Sequence, residues 1–591
     1  MTALPHHKDT KTLRSAFLDV TLPSWSRSLR AFLPWLGASI FLCLFFFYPL
    51  ARILWLGLNP ASLKSLGVHS LDLTFYVLLF TLYQAILSTL LTLLIGLPAA
   101  YLFARFDFRG KSLLRALTAI PFMLPTVVVA AGFNALLGPR GWINLSLLTL
   151  FDLLGISQPP SPPIPFLHTL WAILLAHVFY NTTIVIRIVG NALAHLDPRL
   201  REAARVLGAD SRRAFWHVTL PLLRPAILAA SLLVFLFDFT SFGVILLLGG
   251  PRFSTLEVEI YIQALRMLNL PLAALLSIIQ LACTLIFSVL YSRVVTRVTL
   301  PTTPRAAEEN LIRARTWPQR AFVTGMVLLL LLLFVTPMAA LPLRSISRLE
   351  AARGERTEVQ YGLTTDYYAE LFINRRGSLF YVPPIAAVRN TLTYAGITVL
   401  LSLALGFPVA TALARPGSLE RLLDPFLMLP LGASAVTLGL GFIVAFNHPP
   451  LAMRTSPWLV PLAHTIIALP FVIRTLQPQL ASIPQRYREA ATVLGASPVR
   501  AWFAVDWPIV SRATLAAATF AFTVSLGEFG ATTLVSRPEY PTLPIAIYRF
   551  LSQPGGLNYG QAMAMATILM FVCGVGILLI ERLRLPGAGE F

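Results

Sequence analysis

The sequence predicts an all-α polytopic membrane protein of about twelve transmembrane helices, arranged as two pseudo-symmetric six-helix halves. Three observations carry that expectation. Of 591 residues, 56% are hydrophobic and 12% charged, with a mean hydropathy of +0.73; a soluble chain has about a quarter of its residues charged. The apolar residues fall in runs that reach the roughly 20 residues a helix needs to cross a bilayer. A nine-residue segment, Arg201-Glu202-Ala203-Ala204-Arg205-Val206-Leu207-Gly208-Ala209, returns almost unchanged as Arg488-Glu489-Ala490-Ala491-Thr492-Val493-Leu494-Gly495-Ala496.

The first apolar run begins near Phe32, after a tail (1–31) carrying Lys8, Lys11, Arg14, Arg27 and Arg30. It has no small-residue cleavage pattern after it and leads into further spans, so it reads as a retained helix with a cytoplasmic tail. The first half (32–293) places spans near 32–58, 74–104, 115–137, 168–193, 221–248 and 270–292. A basic linker (294–320) follows. The second half (321–585) places spans near 321–343, 387–414, 424–446, 457–480, 510–536 and 562–581.

Loop charge sets the orientation. Arg105, Arg109, Lys111 and Arg115 occupy the second loop, Arg199, Arg201, Arg205, Arg212 and Arg213 the fourth, and six arginines lie within 293–320. The loops at 59–73, 138–167 and 447–456 hold almost no Lys or Arg. Excess positive charge marks cytoplasmic loops, so the tail, the even loops and the C-terminus, with Arg582 and Arg584, are expected in the cytoplasm of a bacterial inner-membrane protein. The same distribution accounts for the net charge of +20 without nucleic acid. Residues 344–386 mix both charge signs, as an extracytoplasmic excursion does, and Pro159-Pro160-Ser161-Pro162-Pro163 predicts a stiff extended stretch. Cys43, Cys283 and Cys573 stand far apart within apolar runs and read as core residues, with no metal or disulfide spacing.

The duplication extends beyond the nine residues. A 287-residue offset links Glu202 to Glu489, His177 to His464, Arg187 to Arg474, Pro221 to Pro508, Phe242-Gly243 to Phe529-Gly530, Thr255-Leu256 to Thr542-Leu543 and Tyr261 to Tyr548. Earlier in each half the offset is 310, linking Gly96 and Pro98 to Gly406 and Pro408, because the Pro-rich loop lengthens the first half. Both copies fall between corresponding spans, so the repeat is parallel, with its pseudo-twofold axis along the membrane normal.

Each copy opens a longer pattern: Glu202-Ala203-Ala204, Gly208 and Val218-Thr219-Leu220-Pro221, then Glu489-Ala490-Ala491, Gly495 and Val505-Asp506-Trp507-Pro508. The residues predict a short helix, a break, and a second helix entering the membrane. Alanine lets another surface approach, Gly208 and Gly495 permit a turn strained for other residues, and Pro221 and Pro508 suit a helix start. A single basic amphipathic helix would as readily lie on lipid headgroups; two copies at matched positions favour a rigid knob offered to a cytoplasmic partner.

At these residues the chain resembles the permeases of type I, binding-protein-dependent ABC importers, whose signature is Glu-Ala-Ala-x3-Gly-x9-Ile-x-Leu-Pro; Trp507 stands where that signature has Leu. The resemblance implies that the two loops dock two copies of a cytoplasmic ATPase, that the ATPase uses ATP and Mg, that an extracytoplasmic binding protein delivers substrate, and that alternating access moves it. This chain holds no ATPase and no cofactor of its own: a phosphate-binding loop ending at Gly110-Lys111-Ser112 would need glycine where Arg105 stands.

Ionisable residues inside spans are pathway candidates. The fifth spans carry Asp238, Ser241 and Phe242, and Ser525, Glu528 and Phe529. Two roles fit the carboxylates: attracting a cation or closing a pathway, and pairing internally to serve packing. His177 and His464 read as satisfied packing histidines, and Arg187 and Arg474 as anchors near cytoplasmic helix ends. Fused two-half permeases resemble the thiamine and ferric-iron importers. Gly141-Trp142, Leu175–Asn181, Leu248-Gly249-Gly250-Pro251 and Thr542-Leu543-Pro544 with Tyr548 resemble the thiamine permeases more. That places thiamine or a phosphorylated form first, ferric iron next, and a polyamine or oxyanion third. A secondary transporter shares the span count but needs no duplicated docking loop. A membrane enzyme would need a nucleophile or metal constellation, which the sequence lacks.

Overall fold

A computed structural model describes residues 24–583 other than 157–158, 296–310, 349–361, 374–382, 416, 448 and 450. Most of the predicted tail, of the linker and of the 344–386 excursion, together with Arg584, lies outside the described residues.

Ten described helices are long and apolar enough to span a bilayer. The first half runs α1 (Phe32–Leu58), α2 (Val68–Arg105), α3 (Lys111–Met123), α4 (Thr126–Leu137), α5 (Leu170–Ala194), the short α6 (Pro198–Val206), α7 (Arg212–Phe239), the short α8 (Leu256–Tyr261) and α9 (Leu270–Val295). The second half repeats the order: α10 (Trp317–Ser345), α11 (Pro384–Leu413), α12 (Ser418–Met428), α13 (Ala435–Ala445), α14 (Leu459–Ala481), α15 (Gln485–Val493), α16 (Val499–Gly527), α17 (Gly530–Val535), α18 (Leu543–Leu551) and α19 (Gly556–Leu583).

The spans expected at 115–137 and 424–446 are not straight helices. Each is a pair meeting near a right angle, 109° around Leu124-Pro125 and 96° around Gly432–Ser434. Pro125 cannot continue a helix across this point because it lacks an N–H and fixes its own φ. Ser434 turns the second pair by capping α13, accepting the Thr437 amide at 3.0 Å. The 138–167 loop contains a helix, Trp142–Leu153, that the sequence reading left out. The buried Asn144 pins it, donating to the carbonyls of Gly138 and Ile164 and accepting the Ile164 amide at 2.7 Å.

α5 and α14 are the centres of their halves, with 78% and 72% of their most apolar windows buried against 28–33% for α1, α7, α10 and α11. The opening helix of each half leans across to the other half: α1 packs on α11 and α13, and α10 on α3 and α4. Small residues permit these contacts, as they do where helices must associate without a solvent driving force. A side chain at Gly132 would meet the Pro337 carbonyl at 2.8 Å, and one at Gly441 would meet Pro49 at 2.9 Å. Cys43 departs from the core expectation. It is exposed on the outer face of α1, while Cys573 is buried.

Coupling loops and a candidate translocation pathway

α6 and α15 end in the same way. The Ala209 amide donates to Ala204 and the Gly208 amide to Arg205; in the second copy Ala496 donates to Ala491 and Gly495 to Thr492, all at 3.0 Å. This double closure is a Schellman motif, which needs a left-handed residue; Gly208 and Gly495 supply it with φ of 88° and 85°. The turn leaves two apolar residues standing in solvent on each knob. Val206 and Leu207 are each 87% exposed, and Val493 and Leu494 are 83% and 87%. Glu202, Ala203, Glu489 and Ala490 are exposed beside them, with Ala204 and Ala491 partly covered.

The following helices begin directly after the knob, where Asp210 and Ser497 accept the amides of Arg213 and Arg500. Pro221 and Pro508 therefore do not open a helix, contrary to the sequence expectation. They lie in a continuing helix just past a π-helical turn, Phe215–Thr219 and Trp502–Asp506. A widened turn absorbs the missing proline N–H and the clash of its ring with the preceding turn.

At the other end, α7 stops at Phe239 and α16 at Gly527, short of the predicted 248 and 536, and the chain resumes after a break of a few residues. All six pathway candidates sit at or beside these breaks, and all but Ser241 are buried. Phe242 and Phe529, related by the 287-residue offset, stack on one another with ring centroids 5.5 Å apart and planes at 28°. Tyr261 packs edge-on to Phe242 at 5.6 Å, and Tyr548 edge-on to Phe529 at 5.6 Å. The segments bearing the tyrosines are tied down identically: Thr81 accepts the Leu256 amide at 3.0 Å and Thr391 the Leu543 amide at 2.7 Å. Arg266 joins the two sides, over the Tyr261 ring at 5.7 Å and donating to the Tyr548 hydroxyl at 3.3 Å. Four aromatic rings, two from each half, thus meet where the halves face each other.

His177 and His464 stand behind this cluster. His177 Nδ1 is 2.9 Å from the Ser88 hydroxyl and 3.3 Å from Asp238 Oδ1, and its Nε2 is 2.8 Å from the Ser241 hydroxyl. Asn181 also donates to Asp238 at 2.7 Å. His464 Nδ1 is 2.7 Å from the Ser525 hydroxyl, and its Nε2 is 2.8 Å from the Thr532 hydroxyl and 3.3 Å from Glu528 Oε2. Both histidines are satisfied, as expected, yet they join the pathway candidates rather than standing isolated. The offset of 287 residues aligns Asp238 with Ser525 and Ser241 with Glu528. At these two aligned positions each half therefore sets one carboxylate and one hydroxyl against its histidine, with the two exchanged between halves.

Arg474 also does more than anchor. It donates to Asp424 at 3.0 Å, tying α14 to α12. The sequence reading used Tyr261 as a repeat marker and Tyr548 as a repeat marker and a point of family likeness, and passed over Ser88, Thr398 and Arg266. The signal available for the tyrosines was their place in the repeat; Arg266 has no basic counterpart, since Gln553 aligns with it.

Residues 92–300 match the family model described as binding-protein-dependent transport system inner membrane component. The chain is similar to the thiamine transport system permease protein of Brucella abortus strain 2308, at 28% identity over 85% of this chain and 86% of the relative. It is similar to that of Escherichia coli K12, at 28% over 87% and 89%. A probable ABC transporter permease of Sinorhizobium fredii matches at 27% over 86% and 88%. The likeness runs through both halves: the chain is a multi-pass membrane protein that resembles the fused permeases of thiamine transport systems.

Proposed function

We propose that the chain is the transmembrane subunit of an ATP-driven, binding-protein-dependent importer that carries thiamine, or a phosphorylated form of it, by alternating access. The repeated knob carries this reading: two helices of closely similar sequence and the same Schellman closure each expose a Val–Leu pair, a pattern suited to two identical partner surfaces. Two copies of a separate ATPase dock at α6 and α15, which places these loops, the N-terminal tail and the C-terminus in the cytoplasm. The positive-loop pattern supports the same orientation. An extracytoplasmic binding protein delivers substrate to the opposite face, where the Phe242–Phe529 pair closes the path between the halves. Permeases of thiamine transport systems similar over 85% of the chain and more support the choice of substrate.

The test is ATP hydrolysis in liposomes by this chain together with the ATPase and binding protein encoded beside it. Thiamine on the binding protein is expected to stimulate hydrolysis, and ferric iron is not. Glu202→Ala combined with Glu489→Ala is expected to loosen ATPase association and abolish stimulation. Stimulation by ferric iron alone would reassign the substrate, and normal ATPase binding by the double variant would remove the docking role from these loops.

A further inference from the structure

We infer that His177 and His464 are positioning residues that latch the gate phenylalanines in the stacked arrangement. The inference rests on the pathway reading above and adds to it the groups that hold the pathway shut.

Each histidine is on the central helix of its half and is only 2% or 1% exposed. Each spans two positions three residues apart on the neighbouring broken helix, 238 and 241 or 525 and 528. The second of those positions immediately precedes the gate residue, Phe242 or Phe529. A third helix joins each cluster. Ser88 of α2 reaches His177, and Ser525 donates to Thr398 of α11 at 3.4 Å. Three elements of each half are therefore tied into one cluster, whose histidine reaches the residue that precedes the gate ring.

The ring orientation is common to both halves. Nδ1 faces the earlier position and Nε2 the gate-side position, although the carboxylate sits on the Nδ1 side in the first half and on the Nε2 side in the second. A histidine needed only to fill space has no reason to keep one orientation while its charged partner changes place. To unstack, Phe242 or Phe529 must move with the break that carries it, and that movement pulls Ser241 or Glu528 away from an imidazole that is itself buried.

The second latch is the tighter. Glu528 also accepts the Ala531 amide at 2.8 Å, the Thr532 amide at 2.9 Å and the Thr532 hydroxyl, which fixes the start of α17 to the break. Asp238 takes Asn181 on one oxygen, and its other oxygen makes no hydrogen bond among the described residues.

The experiment places spin labels at Met267→Cys and Ser552→Cys, exposed residues just beyond the tyrosine-bearing segments, with Cys43, Cys283 and Cys573 replaced. The full complex with its ATPase is measured nucleotide-free and trapped with ATP and vanadate. The wild-type distance is expected to be single and short without nucleotide and to lengthen on trapping; a distance unchanged by trapping would remove the gate reading itself. Given that change, His464→Leu is expected to raise the separated population without nucleotide about tenfold and His177→Leu by less, while His464→Gln, which keeps hydrogen-bonding groups, restores the short distance. If His464→Leu lowers thermal stability but leaves the nucleotide-free distance as in the wild type, the histidine serves packing and the latch is overturned. Should His464→Leu fail to assemble, Thr532→Val removes one hydroxyl of the same cluster. It carries the same expectation at a smaller rise, and an unchanged distance there overturns the latch equally.

Discussion

Phe242 and Phe529 occupy one place in the two halves, 287 residues apart, and stack directly on each other at 5.5 Å. The two rings are buried and each is braced by the tyrosine of its own half. A contact between symmetry-related residues forms only where the axis itself passes, so this pair marks the seam between the halves, the one that would part under the proposed alternating access.

Removing one ring tests that seam. An aromatic pair contributes about 0.5–1.5 kcal/mol beyond the area it buries. Phe242→Ala or Phe529→Ala is therefore expected to shift the closed state toward the open one by about two- to tenfold. The measurement is ATP hydrolysis by the complex without its binding protein, which should rise by that factor while stimulation by the loaded binding protein falls. The double variant should add little to either single one, because either change already abolishes the stack. An unchanged basal rate in both single variants would place the gate elsewhere.

The proposed docking can be separated from folding at Leu207 and Leu494. Each is 87% exposed, so Leu207→Asp or Leu494→Asp should change thermal stability by no more than about 0.5 kcal/mol. An apolar anchor at the centre of an interface carries about 2 kcal/mol or more, so each variant should weaken ATPase co-purification by at least roughly tenfold. Loss of stability without loss of association would mean that these residues serve the permease fold alone.

Much of this arrangement was legible in the sequence, and the reasons for the rest are physical. Repeat spacing located both knobs and both phenylalanines, because duplication leaves a trace that needs no geometry; the breaks beside the phenylalanines were not foreseen, since the spans were expected to run on to 248 and 536. The exchange of Asp238 and Glu528 was visible in the same alignment, but its meaning depends on His177 and His464 reaching across from another helix, which no spacing within one helix reports. The bends in the third spans were hidden by composition: 115–137 and 424–446 are predominantly apolar, and hydropathy does not register a right angle. Pro125 was the signal available. Pro221 misled for the opposite reason, since proline marks a helix start in most settings and a π-helical turn makes room for it here.

The glycine at each knob is a backbone requirement and not a packing one. A Cβ at Gly208 or Gly495 would meet nothing within 4 Å, yet both residues are left-handed. That conformation costs a side-chain-bearing residue about 1–2 kcal/mol. Gly208→Ala and Gly495→Ala should therefore weaken ATPase binding by about 5- to 30-fold through misplacement of the Val–Leu pair, with little effect on the membrane domain. Gly325→Ala is the control, being helical, equally uncrowded and remote from the knobs. Titration of ATPase onto the reconstituted permease measures all three, and equal affinities would show that the knob tolerates another closure.

The two knobs differ in how they are fastened, and the difference makes a last prediction. Arg488 Nε donates to both carboxylate oxygens of the buried Asp506, at 2.8 and 3.1 Å, binding α15 to the π-helical turn that follows it. The residues aligned with them in the first half are Arg201 and Thr219, and threonine carries no charge to match. Removing one member of a buried pair strands the other. The cost here is reduced because the arginine side chain is 30% exposed, to about 1–3 kcal/mol for Arg488→Met. Arg201→Met strands nothing and should stay within about 0.5 kcal/mol. Combining Arg488→Met with Asp506→Thr copies the threonine of the first half and removes the stranded carboxylate, so it should recover most of the loss. Thermal unfolding of the three variants decides the matter. If the combined variant is no better than Arg488→Met alone, the arginine stem supports α15 by packing, and the ion pair is incidental to it.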